Sequence, residues 1–302
     1  MTSSPGTPDR SENPARAESS AHPGSRTRPV IGLIDSGLGL VSYADALHHQ
    51  YPEADLVLAM DPDWMPYGSL DPEVVAERAL SSANALSPWE PDAIVVACNT
   101  ASVHALERLR EAYEPRTPII GTVPAIKTAA ATGEEFAVWA TRATTRSAYQ
   151  ESLITEFAGD ATVHQVPCYG LADAIDAADE QRIDETIAAA VAATPPAVSG
   201  IVLGCTHFGL VADRILQQRP GTSALFDSPH AVARQTLARL GLSPVPEAAQ
   251  APGTSGTAGT AGARLRPSEG RVLATYMSGR RAGLPDTLDA YPAGVRLRAI
   301  EN

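Results

Sequence analysis

Short, wholly apolar runs recur along the chain, separated by longer stretches in which apolar residues return every three or four positions. Val30-Ile31-Gly32-Leu33-Ile34, Leu56 to Met60 and Ala93 to Ala97 are the first three such runs. Each is too short for a helix and continuous enough to be buried on both faces, as strands of a parallel sheet are. A glycine-containing turn and a helix near 41–50 follow the first run, and Leu106, Leu109 and Tyr113 stand at helical spacing after the third. Further strands are expected at Pro118 to Gly121, Phe136 to Ala140, Thr162 to Val166 and Gly200 to Leu203. Alternation of this kind predicts an α/β fold with parallel sheets flanked by helices. Ligands of such sheets sit at the carboxyl ends of the strands.

The pattern fails in two places. Residues 2–29 hold no Val, Ile, Leu, Phe, Trp or Tyr, so nothing there offsets the entropy of ordering, and 1–28 reads as a disordered tail. Pro244-Val245-Pro246 leads into a Gly/Thr/Ala/Ser run, Pro252 to Gly262, with the composition of a flexible linker over 244–263. The folded part is then about 30–243 plus a C-terminal piece. Within it, Ile94 to Thr100 resembles Ile201 to His207: each is a strand ending in Cys before polar residues and a helix. Two facing domains could each present one thiol to a shared cleft.

Composition narrows the functions open to such a cleft. The chain has 302 residues, 44% of them hydrophobic, enough for a sizeable core and two compact domains. A formal net charge of -12 repels phosphate backbones and anionic lipid, so neither nucleic acid nor a membrane surface is expected as a partner, and a small-molecule substrate fits better. No apolar run approaches the roughly 20 residues of a spanning helix, and the N-terminal stretch lacks the apolar core of a secretory signal. Three cysteines do not read as a disulfide framework and agree with a reducing compartment, so a cytoplasmic protein is expected.

Each thiol then needs its own account. Cys98 and Cys205 end buried strands directly before expected helix starts, where backbone N–H groups favour thiolate and bind anions. The alternative for either is a small buried hydrophobe. Two thiols on opposite faces of one carbon suit inversion of a stereocentre, one as base and one as acid. An unperturbed thiol is only a few per cent thiolate at neutral pH, so help with proton transfer is required, and Asp35 and His207 are the candidates. Asp35 could instead cap a turn, and His207 could be a satisfied core imidazole. No metal is expected, because Cys205-Thr206-His207 offers two ligands at poor spacing without a further Cys/His pair. Gly37-x-Gly39 is an incomplete dinucleotide fingerprint, since Ser42 stands where the third glycine belongs. No phosphate-binding loop, hydrolase elbow or pyridoxal-binding context is visible, so hydrolase chemistry of the Ser/His/Asp kind has no support.

At these residues the sequence resembles the bacterial glutamate racemases. Ile34-Asp35-Ser36-Gly37-Leu38-Gly39, Met65-Pro66-Tyr67-Gly68, Val96 to Ser102 and Leu203 to Phe208 look like that family's successive motifs, in order and spacing. Gly121 to Lys127, Ala140 to Thr144 and Phe226-Asp227-Ser228 extend the likeness over about 30–243. The resemblance implies two pseudo-symmetric α/β domains with the active site in the interdomain cleft: 29–122 as the first, 123–224 as the second, and 225–243 with 264–302 returning to the first. It also implies cofactor-free interconversion of L- and D-glutamate for peptidoglycan synthesis. Cys98 with Asp35 nearby would take the proton from D-glutamate, and Cys205 with His207 nearby would take it from L-glutamate. Asp35, Ser36, Tyr67, Gly68, Asn99, Thr100, Thr141, Thr144, Thr206 and His207 match positions that hold the substrate, and a homodimer is left open.

The sequence departs from the pattern at four points. Leu40 replaces a glycine, Gly209 replaces a proline after the second thiol, and Asp176 stands where many members carry a pocket glutamate. Ser278-Gly279-Arg280-Arg281 replaces an expected Thr-Gly-Asp-Pro. The competing readings are an aspartate or hydantoin racemase or a maleate isomerase of the same superfold, and a binding protein that keeps the fold with little turnover.

Overall fold

The computed structural model describes residues 28–245 and 269–301. The tail expected over 1–28 and the linker expected over 244–263 therefore fall outside the described residues, except at Arg28, Pro244 and Val245. In chain order the elements are β1 (Val30–Asp35), α1 (Leu40–Gln50), β2 (Asp55–Met60), α2 (Pro72–Leu86), β3 (Ala93–Val96), α3 (Asn99–His104), α4 (Leu106–Tyr113) and β4 (Ile119–Gly121). Next come α5 (Ile126–Ala130), β5 (Phe136–Ala140), α6 (Arg142–Thr145), α7 (Ala148–Phe157), β6 (Val163–Pro167), α8 (Leu171–Asp176), α9 (Glu180–Ala193), β7 (Gly200–Leu203), α10 (Ala212–Gln218) and β8 (Ala224–Phe226). The described chain closes with α11 (Pro229–Arg239), β9 (Val272–Met277), β10 (Arg280–Ala282) and α12 (Pro292–Arg298).

Two sheets result, ordered β10-β9-β2-β1-β3-β4 and β6-β5-β7-β8. Every pairing is parallel except β9 with β10, a hairpin turning at Ser278 and Gly279, both at positive φ. That antiparallel edge was not legible from strand–helix alternation. Parallel strands buried on both faces need unbroken apolar runs, and β1, β3, β5 and β7 are buried at every position. The helix expected after β3 is broken at Ala105 into α3 and α4.

Chain connectivity sets how the two sheets face each other. The backbone passes from the first sheet to the second after β4 and leaves the second after β8, and α11 then packs on α1. The two passages are tied together: the Tyr43 hydroxyl lies 2.9 Å from Thr122 Oγ1 and 2.8 Å from Ser228 Oγ, and those two hydroxyls are 2.9 Å apart. One apolar cluster contains Leu38 and Leu40 from the first half with Phe208 and Leu210 from the second, so packing is continuous on that side of the cleft. Leu40, the departure noted above, is the first residue of α1 and fully buried there.

Candidate active site

The carboxyl ends of β1, β3, β5 and β7 converge on the cleft. β1 delivers Asp35 and Ser36, β3 delivers Cys98 and Asn99, β5 delivers Thr141, and β7 delivers Cys205 and Thr206. A pocket of about 410 Å³ lies between them. Its wall includes Ser36, Tyr67, Gly68, Cys98, Asn99, Thr100, Thr141, Thr144, Cys205, Thr206 and His207, which are the expected residues apart from Asp35. Asp35 stands behind that wall, 2% exposed. Met65, Pro66, Ala172 and Gly204 also line the pocket and were not expected, because apolar and backbone-only contributors carry no chemical signature in a sequence.

Two glycines make the close approach possible. A Cβ on Gly37 would lie 2.6 Å from Asp176 Oδ1 and 2.7 Å from His207 Nε2, and one on Gly39 would collide with the side chains of Thr206 and Asp35. The Gly37-Leu38-Gly39 turn therefore serves close packing of the two halves rather than dinucleotide binding.

The Asp35 carboxylate accepts from the Ser36 N–H at 2.6 Å and from Thr206 Oγ at 3.1 Å across the cleft. Burial lifts its pKa to about 6, against the lowering influence of His207 and these hydrogen bonds. Cys98, 5% exposed, has its sulfur 4.0 Å from Ser36 Oγ. Burial, followed by the charge of Asp35, pushes the Cys98 thiol well up. This reverses the sequence expectation at Cys98: desolvation outweighs the six-residue α3 terminus that was to favour thiolate.

On the other face, His207 Nδ1 lies 3.8 Å from Cys205 Sγ and its Nε2 lies 3.4 Å from Asp176 Oδ1. The latter is an ion-pair contact without hydrogen-bond alignment. Burial alone would lower the imidazole, but Asp176 and Cys205 outweigh it and hold His207 well above its ordinary value. Burial likewise opposes ionisation of Asp176, yet His207 and the Leu38 N–H, 3.0 Å away, bring its pKa below the ordinary carboxylate value. The residue that sequence comparison placed in the pocket thus sits directly behind the second helper. Cys205 is followed by a 3₁₀ segment, Thr206–Val211, rather than the expected α-helix, and Gly209 lies inside it.

Tyr67 reaches the pocket, but its hydroxyl is engaged elsewhere. It donates to Asp61 Oδ2 at 2.7 Å, and Arg78 holds the same carboxylate in a bidentate pair, both contacts 2.8 Å. Asp61 is fully buried. Tyr67 lines the pocket, as expected, with its hydroxyl committed to Asp61. The β9–β10 hairpin braces the same loop, since Ser278 Oγ accepts from the Asp63 N–H at 3.1 Å and Arg280 pairs with the Asp63 carboxylate at 2.8 Å. Neither Asp61, Arg78 nor this brace is marked by any motif; only the fold brings them to the loop.

Asn99 spans the cleft through Nδ2, which donates to the Gly204 carbonyl at 2.9 Å. Its Oδ1 is buried with no hydrogen-bond partner among the described residues. Two thiols, each beside a titratable residue, line one pocket at the seam of two parallel sheets, an arrangement suited to acid/base chemistry.

That is the class of an amino-acid racemase-like isomerase. Residues 31–236 match the Asp/Glu/hydantoin racemase family, and the chain belongs to it. It is 34% identical over 229 residues to the glutamate racemase of Actinobacillus pleuropneumoniae, covering 73% of this chain and 84% of that one. To an Escherichia coli glutamate racemase it is 35% identical over 225 residues, covering 70% and 76%. The crystal structure of E. coli glutamate racemase with L-glutamate and the activator UDP-MurNAc-Ala superposes with a TM-score of 0.71 at 26% identity, covering 91% of this chain and 96% of that one. No helix among the described residues is long and apolar enough to cross a membrane.

Proposed function

We propose that the protein interconverts L- and D-glutamate by proton transfer between two thiols, supplying D-glutamate for peptidoglycan synthesis in the cytoplasm. The observation that carries this reading is the placement of Cys98 and Cys205 on one pocket wall, from opposite halves, each with its own titratable partner. Similarity to glutamate racemases supports the substrate. We divide the chain accordingly into 29–122, 123–224, and a return of 225–243 and 264–302 to the first domain.

With D-glutamate bound, Cys98 removes the α-proton as the thiolate, its own proton having first passed to Asp35. The nearby Asp35 carboxylate, ionised above about pH 6, takes up the thiol proton that burial otherwise retains. Cys205 then delivers a proton to the opposite face and is resupplied by the His207 imidazolium, which Asp176 stabilises. The reverse direction exchanges the roles. The substrate's polar groups meet the Asn99 amide, the hydroxyls of Ser36, Thr100, Thr141 and Thr144, and backbone N–H groups at Tyr67 and Gly68, while Thr206, whose hydroxyl donates to Asp35, borders the same space. A coupled assay for D-glutamate with purified protein and L-glutamate tests the reading. Turnover is expected in both directions without added cofactor, and its absence with the folded protein would overturn the assignment.

A further inference from the structure

A second space of about 890 Å³ adjoins the catalytic pocket, and the two share Pro66, Gly68, Thr141 and Ala172. Arg142 and Arg146 lie on the wall of this outer space, one helical turn apart. Both are exposed, and neither guanidinium has an ion-pair or hydrogen-bond partner among the described residues. Elsewhere the arginines are commonly paired: Arg78, Arg108, Arg214, Arg239, Arg296 and Arg298 each hold a carboxylate. A third guanidinium, Arg182, lies against Gly170 on the same wall, where an added Cβ would be 3.1 Å from it. Asp173 is the one carboxylate of the outer lining.

The inner pocket has a different character. No Lys or Arg lines it, and its one cation, His207, is matched by Asp176. An amino dicarboxylate approaching the site is a net anion, and it approaches a protein whose formal net charge is -12. The general field opposes association. The free guanidiniums at the mouth are the local feature that reverses it.

We propose that the outer space is an antechamber that captures the anionic substrate through Arg142 and Arg146 before it passes between Pro66, Gly68 and Thr141 to the thiols. This rests on the glutamate racemase reading and adds a separate binding step to it. Charges lining the approach to a cleft raise local substrate concentration by tenfold or more, and their effect fades as salt shortens the Debye length.

The test is a comparison of wild type with R142Q/R146Q and with R142E/R146E, measured as kcat and KM for both enantiomers between about 20 and 500 mM NaCl. Unfolding curves of the three proteins establish that the fold is unchanged. The proposal predicts that kcat/KM at low salt falls about fivefold in the neutral variant and further in the reversed one, through KM, with kcat held. The wild-type decline with salt should flatten in R142Q/R146Q and invert in R142E/R146E. Unchanged KM and salt dependence in both variants would overturn the antechamber, as would a loss confined to kcat, which would place the effect on the chemistry instead. A wild type that does not racemise glutamate would fail the functional reading; a racemising wild type with indifferent variants fails only the antechamber.

Discussion

Thr206 Oγ1 donates to Asp35 Oδ2 at 3.1 Å, joining the residue after the second thiol to the partner of the first. This bond joins the half-sites alongside the one from Asn99 to the Gly204 carbonyl, and Gly39 is the residue that leaves room for it. A methyl group at Gly39 would force Thr206 and Asp35 apart. Gly39→Ala is expected to lower kcat/KM by about a hundredfold, as displacements near 1 Å do in active sites, while destabilising the fold by about 1–3 kcal/mol. Steady-state kinetics and denaturant unfolding measure both, and wild-type kinetics in a folded variant would show that the contact is dispensable.

The thiols give a sharper expectation. Cys98→Ala and Cys205→Ala should each abolish racemisation in both directions, whereas Cys168→Ala, whose sulfur lies off the catalytic pocket, should not. In D₂O the wild type should place deuterium at Cα of the product. The single variants should retain at most exchange without inversion, Cys98→Ala on L-glutamate and Cys205→Ala on D-glutamate. Full racemisation by either variant would eliminate the two-thiol mechanism.

Asp35 sets a pH dependence. Its carboxyl titrates at about 6 in the folded protein, above the ordinary carboxylate value. With D-glutamate, kcat/KM should rise with pH through about 6 as Asp35 ionises, and Asp35→Asn should lose that limb along with most of the rate. Stability runs the other way. A raised folded-state pKa contributes stability in full below the unfolded value and loses it as pH rises through about 6. Thermal unfolding of Asp35→Asn should accordingly show a weaker decline across that interval than wild type, and an identical profile would remove Asp35 from this role.

The Asp176–His207 pair predicts a different window. The raised His207 contributes stability at pH values below the ordinary imidazole range and loses it as pH climbs through its folded value. The lowered Asp176 contributes above the ordinary carboxylate range and loses it as pH falls through its folded value. The pair is thus fully stabilising between those two ordinary ranges. Asp176→Ala should cut kcat about tenfold or more, with the larger effect on proton removal from L-glutamate, by releasing His207 from its ion pair. Asp176→Asn keeps an oxygen for the Leu38 N–H, so it should recover stability more than turnover. Kinetics indifferent to both changes would make Asp176 a bystander.

Sequence reading reached far where function and local pattern coincide. Buried parallel strands must be apolar on both faces, so β1, β3, β5 and β7 announced themselves, and their ends placed both thiols, Asp35, Thr141 and His207 at one rim. It reached less far where tertiary contacts decide. The Tyr67 hydroxyl is turned to Asp61 by a network that needs Arg78 on α2, and the β9–β10 edge is assigned by pairing with β2 over a long separation. The thiol of Cys98 was misjudged for the same reason: an N-terminal helix position can be read locally, whereas the degree of desolvation cannot.

The tie among Tyr43, Thr122 and Ser228 gives the cleft a fixed back. Both passages of the backbone run beside it, and the apolar packing of Leu38, Leu40, Phe208 and Leu210 is continuous between the halves. The opposite edge is closed by loop residues, Pro66 and Gly68 facing Thr141 and Ala143. Pro66, Gly68 and Thr141, which border both the catalytic pocket and the outer space, lie outside that apolar cluster. Of the residues common to the two spaces, only Ala172 also belongs to the core, so substitutions at the other three would reshape the approach while leaving the packing between the halves in place.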